Sequence, residues 1–206
     1  MCGRYSLFAS PATVGERFDV DADLEPRYNC APGQSLPVIT NAAPDRVTRA
    51  EWGLVPEWAD DDANPPINAR AETIAEKPTF ADAVERRRCL VPADGFYEWV
   101  EVDGETRPHR VAFEDDRPFA MAGVWTRWTP STAQSGLDEF GAGGPAAPES
   151  RETFAVVTTE PNDLVADLHH RMAVILAADE LRAYEVSRRV NDPTNDAADL
   201  VEPVDA

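Results

Sequence analysis

Apolar and polar residues alternate along much of this chain, a period that predicts strands more often than helices. CGRYSLF alternates well enough for a first strand. In SPATVGERF, Ser10 is placed to cap a short helix, Pro11 suits its first position and Glu16 lies within it. RYNCAPGQSLPVIT reads as a loop, marked by Pro32 and Gly33, leading into a strand. RVTRAEWGLVPEW reads as a strand ending at Pro56, and the acidic, proline-bearing ADDDANPPINARAET as loop. In TFADAVERRR, Thr79 opens a helix with Asp82 as its capping-box partner. CLVPADGFYEWVEV and DGETRPHRVAFEDD form a hairpin, because Asp103–Gly104 suits a type I′ turn. PFAMAGVWTRW and TFAVVTT are further strands. NDLVADLHHRM is a short helix or turn, AVIL a strand, and AADELRAYEVSRRV is helical at its start. Residues 131–152 have the Gly, Ala, Ser and Pro content of a flexible insertion. No repeat or linker divides the chain. The expected architecture is α+β: a single strand-rich domain over residues 1–206, with a barrel-like mixed β core and a few short peripheral helices.

Composition narrows the class. At 206 residues the chain supports one well-buried core. Its net charge is −19, and Lys77 is the only lysine among 19 basic residues, leaving 18 arginines. An acidic surface of this kind keeps a protein soluble where salt is high, so a salt-adapted host is expected. No apolar run approaches the roughly 18 residues of a membrane span, and no basic-then-apolar leader opens the chain. A soluble cytoplasmic protein with no membrane partner is the expectation, and a monomer is the default. Cys2, Cys30 and Cys89 show no CxxC spacing, which argues against a disulfide framework or a structural zinc site. Cys30 and Cys89 read as buried small apolar residues. No metal and no cofactor is implied.

Cys2 is different. Loss of Met1 leaves an α-amine and a thiol on one residue, a pair of nucleophiles that calls for an electrophile. Glu98 lies between Tyr97 and Trp99 and shares a face with Phe96 and Val100, which tilts it toward burial and a raised pKa. Asn68 and Arg70, taken alone, read as a loop amide and a surface arginine. Of the adjacent His169 and His170, at most one faces a given site.

The combination carries more than its parts. MCGRY, YNCAPGQ, WGLVPEW, INARAET, CLVPADGFYEW and LHHRM, in this order, closely resemble the SRAP family of SOS-response-associated peptidases, which process abasic sites in DNA. The resemblance runs from Met1 to about Leu176 and resumes in VSRRVNDPTNDAADLVEP. It implies a nucleophile at Cys2, supported by Asn68, Glu98 and His169, with His170 at a variable position. It implies phosphate-gripping arginines at Arg4, Arg70 and Arg171, and lesion-facing residues at Trp58, Trp99 and Pro32. The implied partner is single-stranded DNA containing abasic sites, captured as a thiazolidine crosslink, with self-processing and lyase-like side activities. Ala173 stands where the family commonly has proline, and the stretch between VIL and EVSRRV is short. Two other readings stand beside this one. Cys2, His169 and Asn68 could form a cysteine peptidase acting on proteins, or the chain could be a non-catalytic single-strand binding module.

Overall fold

Two sheets face each other across a shared core in this computed structural model, which describes residues 2–60, 64–130, 150–176 and 181–204. The first is an antiparallel sheet of β1 (Tyr5–Leu7), β2 (Arg27–Cys30), β7 (Gly95–Val102), β8 (Glu105–Phe113) and β12 (Leu181–Glu185), in the order β12-β8-β7-β1-β2. The second contains β3 (Ser35–Thr40), β4 (Thr48–Trp52), β6 (Arg88–Ala93), β9 (Phe119–Trp128) and β10 (Arg151–Thr159). They pair in the ring order β3-β4-β10-β9-β6, and β6 returns to β3, so they close a barrel. Only the β4–β10 seam of the ring is parallel, which makes the barrel mixed. The short strands β5 (Asn68–Arg70) and β11 (Met172–Ala173) extend the sheet at the C-terminal end of β10. Closure removes the exposed edges that an open sheet of this size leaves unpaired.

One apolar cluster draws on both sheets: Tyr5, Phe96 and Phe113 from the first meet Trp52, Met121 and Phe154 from the barrel. Tyr5 and Trp52 lie 5.3 Å apart, and Trp52 stacks on Phe154 at 6.1 Å. Cys30 and Cys89 are buried free thiols, as their apolar surroundings suggested. The other face of the first sheet is covered by the C-terminal segment, where Val186, Val190 and Leu200 pack on Tyr97. Asn29 holds that segment by donating to the carbonyls of Val190, Asp192 and Asn195. Asp196 answers by accepting from the backbone N–H groups of Tyr28 and Asn29 and from Arg27.

A buried ion network pins the start of β7. Arg110 is fully buried, donates to the Asp94 carboxylate at 3.3 Å and its carbonyl at 2.8 Å, and reaches Asp116 and the Tyr184 hydroxyl. Asp94 also accepts from Ser6 and from the N–H groups of Phe8 and Ala9. Gly95 makes room for this: a Cβ there would lie 2.5 Å from Arg110 Nε.

Local signals hold where they dominate. α1 spans Pro11–Phe18 and is capped by the Ser10 hydroxyl, which accepts from the Thr13 N–H. Asp103 and Gly104 both adopt positive φ between β7 and β8. Elsewhere pairing partners override the local reading. α2 (Ala81–Arg86) follows Phe80 and lacks a side-chain cap, so Thr79 is not its cap and Asp82 pairs instead with Arg86 and Arg87. Arg27–Cys30 and Asn68–Arg70, expected as loops, are strands because β1 and β10 supply partners. Leu181–Glu185, expected to be helical, is a strand held along β8 from Phe113 to His109; residues 177–180 of that expectation lie outside the described residues. Of the expected insertion, Arg151 and Glu152 open β10, and 131–149 lie outside the described residues. Among the described residues no helix is long and apolar enough to cross a membrane.

Candidate active site

The N-terminal strand delivers Cys2. The Tyr97 N–H donates to the Arg4 carbonyl at 3.0 Å, carrying the β1–β7 ladder back toward the terminus and laying Cys2 beside the Glu98 end of β7. Cys2 has no exposed surface, and its thiol lies 3.8 Å from the Arg4 carbonyl. Burial, with the neighbouring Glu98 charge adding to it, pushes the thiol well above its usual range. It therefore remains a protonated thiol at neutral pH.

Glu98 is 1% exposed, on the face that alternation assigned to it. Tyr97 and Trp99 point the other way: the Tyr97 hydroxyl donates to the Tyr28 carbonyl and the Trp99 indole to the Asn191 side chain. Burial raises the Glu98 carboxyl to about 7, so near neutrality it is populated both as an acid and as a base.

The barrel supplies the facing groups. β5 runs parallel to β10 with Asn68 opposite Val156, and this presents the Asn68 amide to the N-terminal strand. Its Nδ2 donates to the Cys2 carbonyl at 2.9 Å, while its Oδ1 is buried without a hydrogen-bond partner among the described residues. His169 is carried on the turn between the short helix α3 (Asp163–Ala166), capped by Asn162, and β11. Its N–H closes on the Val165 carbonyl at 2.8 Å. Nδ1 accepts from the Arg171 N–H at 3.0 Å and lies 3.2 Å from the Arg171 carbonyl, so both protonation states of the ring have a partner. Desolvation lowers its pKa, with His170, stacked on it at 4.3 Å, contributing.

The expected DNA-contacting residues divide. Arg70 and Trp58 are exposed, Trp58 at 67%. Arg4 is half-buried and bonds to the carbonyls of Gly3 and Asn191; Pro32 and Trp99 are partly covered. The Arg171 fork is closed on Glu72, and its side chain is 11% exposed. Sequence reasoning missed Glu72, although it stands in the same INARAET stretch, and it missed Asn191, which touches both Arg4 and Trp99.

The family model described as SOS response associated peptidase (SRAP) matches residues 1–206. Among curated relatives, the "Abasic site processing protein YoaM" of Bacillus subtilis is 36% identical over 237 residues, covering 98% of each chain. The "Abasic site processing protein HMCES" of Xenopus tropicalis is 28% identical, covering all of this chain and 71% of its own length. A crystal structure of a Bacteroides thetaiotaomicron protein superposes with a TM-score of 0.81 at 24% identity, covering 98% of this chain and all of that one, and so shares the fold. The chain belongs to the SOS response associated peptidase family.

Proposed function

We propose that this protein processes abasic sites in single-stranded DNA by capturing their open-chain aldehyde on Cys2, once Met1 has been removed. The observation that carries the reading is the buried Cys2, which becomes an aminothiol once Met1 is lost, set between the Asn68 amide, which holds its carbonyl, and Glu98, whose carboxyl is raised to about 7.

The chemistry balances with these residues alone. An α-amine with a pKa of roughly 7.7–8.0 keeps about a tenth or more of its population as free base at neutrality, and that form adds to the aldehyde carbon. The carbinolamine loses one water, for which protonated Glu98 or His169 gives the proton, and an imine remains. The Cys2 thiol then adds to the imine carbon. Its proton passes through the Glu98 carboxylate to the nitrogen, and a five-membered thiazolidine closes with the net loss of one water. Both nucleophiles sit on one residue, so ring closure is intramolecular and benefits from a high effective molarity. Arg70 and Arg4 meet flanking phosphates, and Trp58, with Trp99 and Pro32, offers faces for bases. The imine stage also permits β-elimination at the 3′ phosphate, and the same groups suit self-cleavage after Met1. A protein-cleaving cysteine peptidase is the other reading, and retaining Met1 separates the two, since it abolishes the crosslink and spares an ordinary thiol protease. The acidic total charge is tolerated because at about 1 M salt the Debye length is roughly 3 Å and distant carboxylates do not reach the strand.

Intact-protein mass spectrometry with and without an abasic oligonucleotide tests this directly. The expected result is a chain lacking Met1 that gains the oligonucleotide mass less one water, and Cys2→Ala abolishes the heat-stable adduct. Retained Met1, or no covalent adduct on abasic DNA, overturns it.

A further inference from the structure

Four residues beyond Asn68, the Glu72 carboxylate takes both terminal nitrogens of Arg171 at 2.9 Å each. The same guanidinium donates to the Thr158 carbonyl at 2.7 Å, at the end of β10. A planar fork gripped by a carboxylate and a backbone carbonyl has little freedom to turn. The Arg171 hydrogen bonds pull the Glu72 carboxyl down to about 2, so the clamp is charged on both sides at neutral pH.

The backbone of Arg171 is tied as firmly as its side chain. Its N–H is the donor to His169 Nδ1, and its carbonyl is the acceptor within reach when that nitrogen is protonated. A ring nitrogen that accepts a hydrogen bond carries no proton, so the neutral imidazole bears its hydrogen on Nε2. Rotation of the 169–171 turn breaks this contact and with it the selection of one tautomer. The turn has few anchors of its own: α3 is only four residues long, and β11 pairs through two. Glu72 bridges it to the strand that carries Asn68.

We propose that Glu72 is a positioning residue for His169: by clamping Arg171 against the end of β10, it fixes the peptide that sets the direction and tautomer of the His169 ring. The inference deepens the reading above, because it matters for catalysis only if His169 moves protons there. It also reassigns Arg171, whose fork serves the turn, while Arg70 remains the exposed cation on β5.

Long-range proton–nitrogen NMR of His169, assigned with a His169→Gln variant, reports the tautomer without any DNA. The wild-type protein shows a single Nε2–H form, and Glu72→Gln shows a mixture of the two neutral forms. In adduct-formation kinetics, Glu72→Gln lowers the maximal rate about tenfold, as expected for a reacting group that loses its alignment. The oligonucleotide concentration at half-maximal rate stays within about twofold, because strand contacts are untouched. A Glu72→Gln/Arg171→Gln double variant is no slower than Arg171→Gln alone, since both changes break one clamp. An unchanged His169 spectrum in Glu72→Gln overturns the proposal whatever the rate does. So does a rise in half-maximal concentration with the maximal rate intact, which assigns Glu72 to strand binding. Glu72→Asp, which keeps the charge and shortens the reach, is read by the same spectrum should the glutamine variant not fold. If the wild-type protein forms no adduct, the proposed function fails and the spectrum alone decides the clamp.

Discussion

Glu98→Gln stabilises the protein at neutral and higher pH by an amount that develops between about pH 4.5 and about pH 7, while slowing its reaction. The carboxyl is 1% exposed and its pKa rises from 4.5 to about 7 on folding, because burial penalises the charged form. Between those values the unfolded chain has released the proton and the folded chain still holds it. Stability therefore falls as pH rises through that window, by about 1.4 kcal/mol per pH unit for this one group. The full loss is about 3 kcal/mol, the difference of about 2.5 units multiplied by 1.36 kcal/mol. It is absent below about pH 4.5 and complete above about pH 7. Glutamine has the same shape and never ionises, so it escapes the penalty. Urea unfolding of both proteins at about pH 5 and about pH 8.5, at one fixed salt concentration, measures the effect. The variant's advantage is small at the lower pH and grows to as much as about 3 kcal/mol at the higher one. Curves that keep the same separation at both pH values, or a variant weaker above neutrality, refute the assignment of Glu98 as a strained, titrating acid. Reaction with abasic DNA should be slower in the same variant; equal rates would remove Glu98 from the proton transfers.

Other outcomes follow from features already described. Gly95→Ala forces a methyl group to within 2.5 Å of Arg110 Nε and displaces a buried guanidinium from Asp94, costing about 3–5 kcal/mol in urea unfolding; a loss below about 1 kcal/mol would show that the network yields easily. Trp58→Ala leaves the melting temperature unchanged, because the ring is 67% exposed, and weakens strand binding by about 1–3 kcal/mol in fluorescence titration; unchanged affinity would take Trp58 out of the strand path. The charge of −19 makes thermal stability rise from dilute buffer to molar salt as repulsion is screened; a flat melting profile would dismiss salt adaptation.

The sequence was most legible where structure is decided within a few residues. The Ser10 cap and the Asp103–Gly104 turn need only neighbours, and both stand as expected. The burial of Glu98 followed from alternation along one strand, because Phe96 on the same face is core. Asn68–Arg70 could not be recognised as a strand, since its partner β10 begins about eighty residues later and supplies every ladder contact. Leu181–Glu185 has helix-favouring residues, yet an open edge on β8 outweighs a propensity of a few tenths of a kcal/mol per residue. The motif INARAET marked Asn68 and Arg70, but the part Glu72 plays depends on an arginine 99 positions away. Asp94 was hidden within DGFYEW for the same reason: Arg110, its counter-ion, declares itself only once β8 folds back.

The grip of Asn29 and Asp196 on each other's segments also sets a clock. β2 receives these partners only when residues 190–196 have left the ribosome, and until then the sheet beneath Cys2 lacks its outer cover. In the finished molecule Cys2 offers no surface to an aminopeptidase. The late-arriving segment covers the Tyr97 face of the sheet, opposite the side on which Glu98 lies.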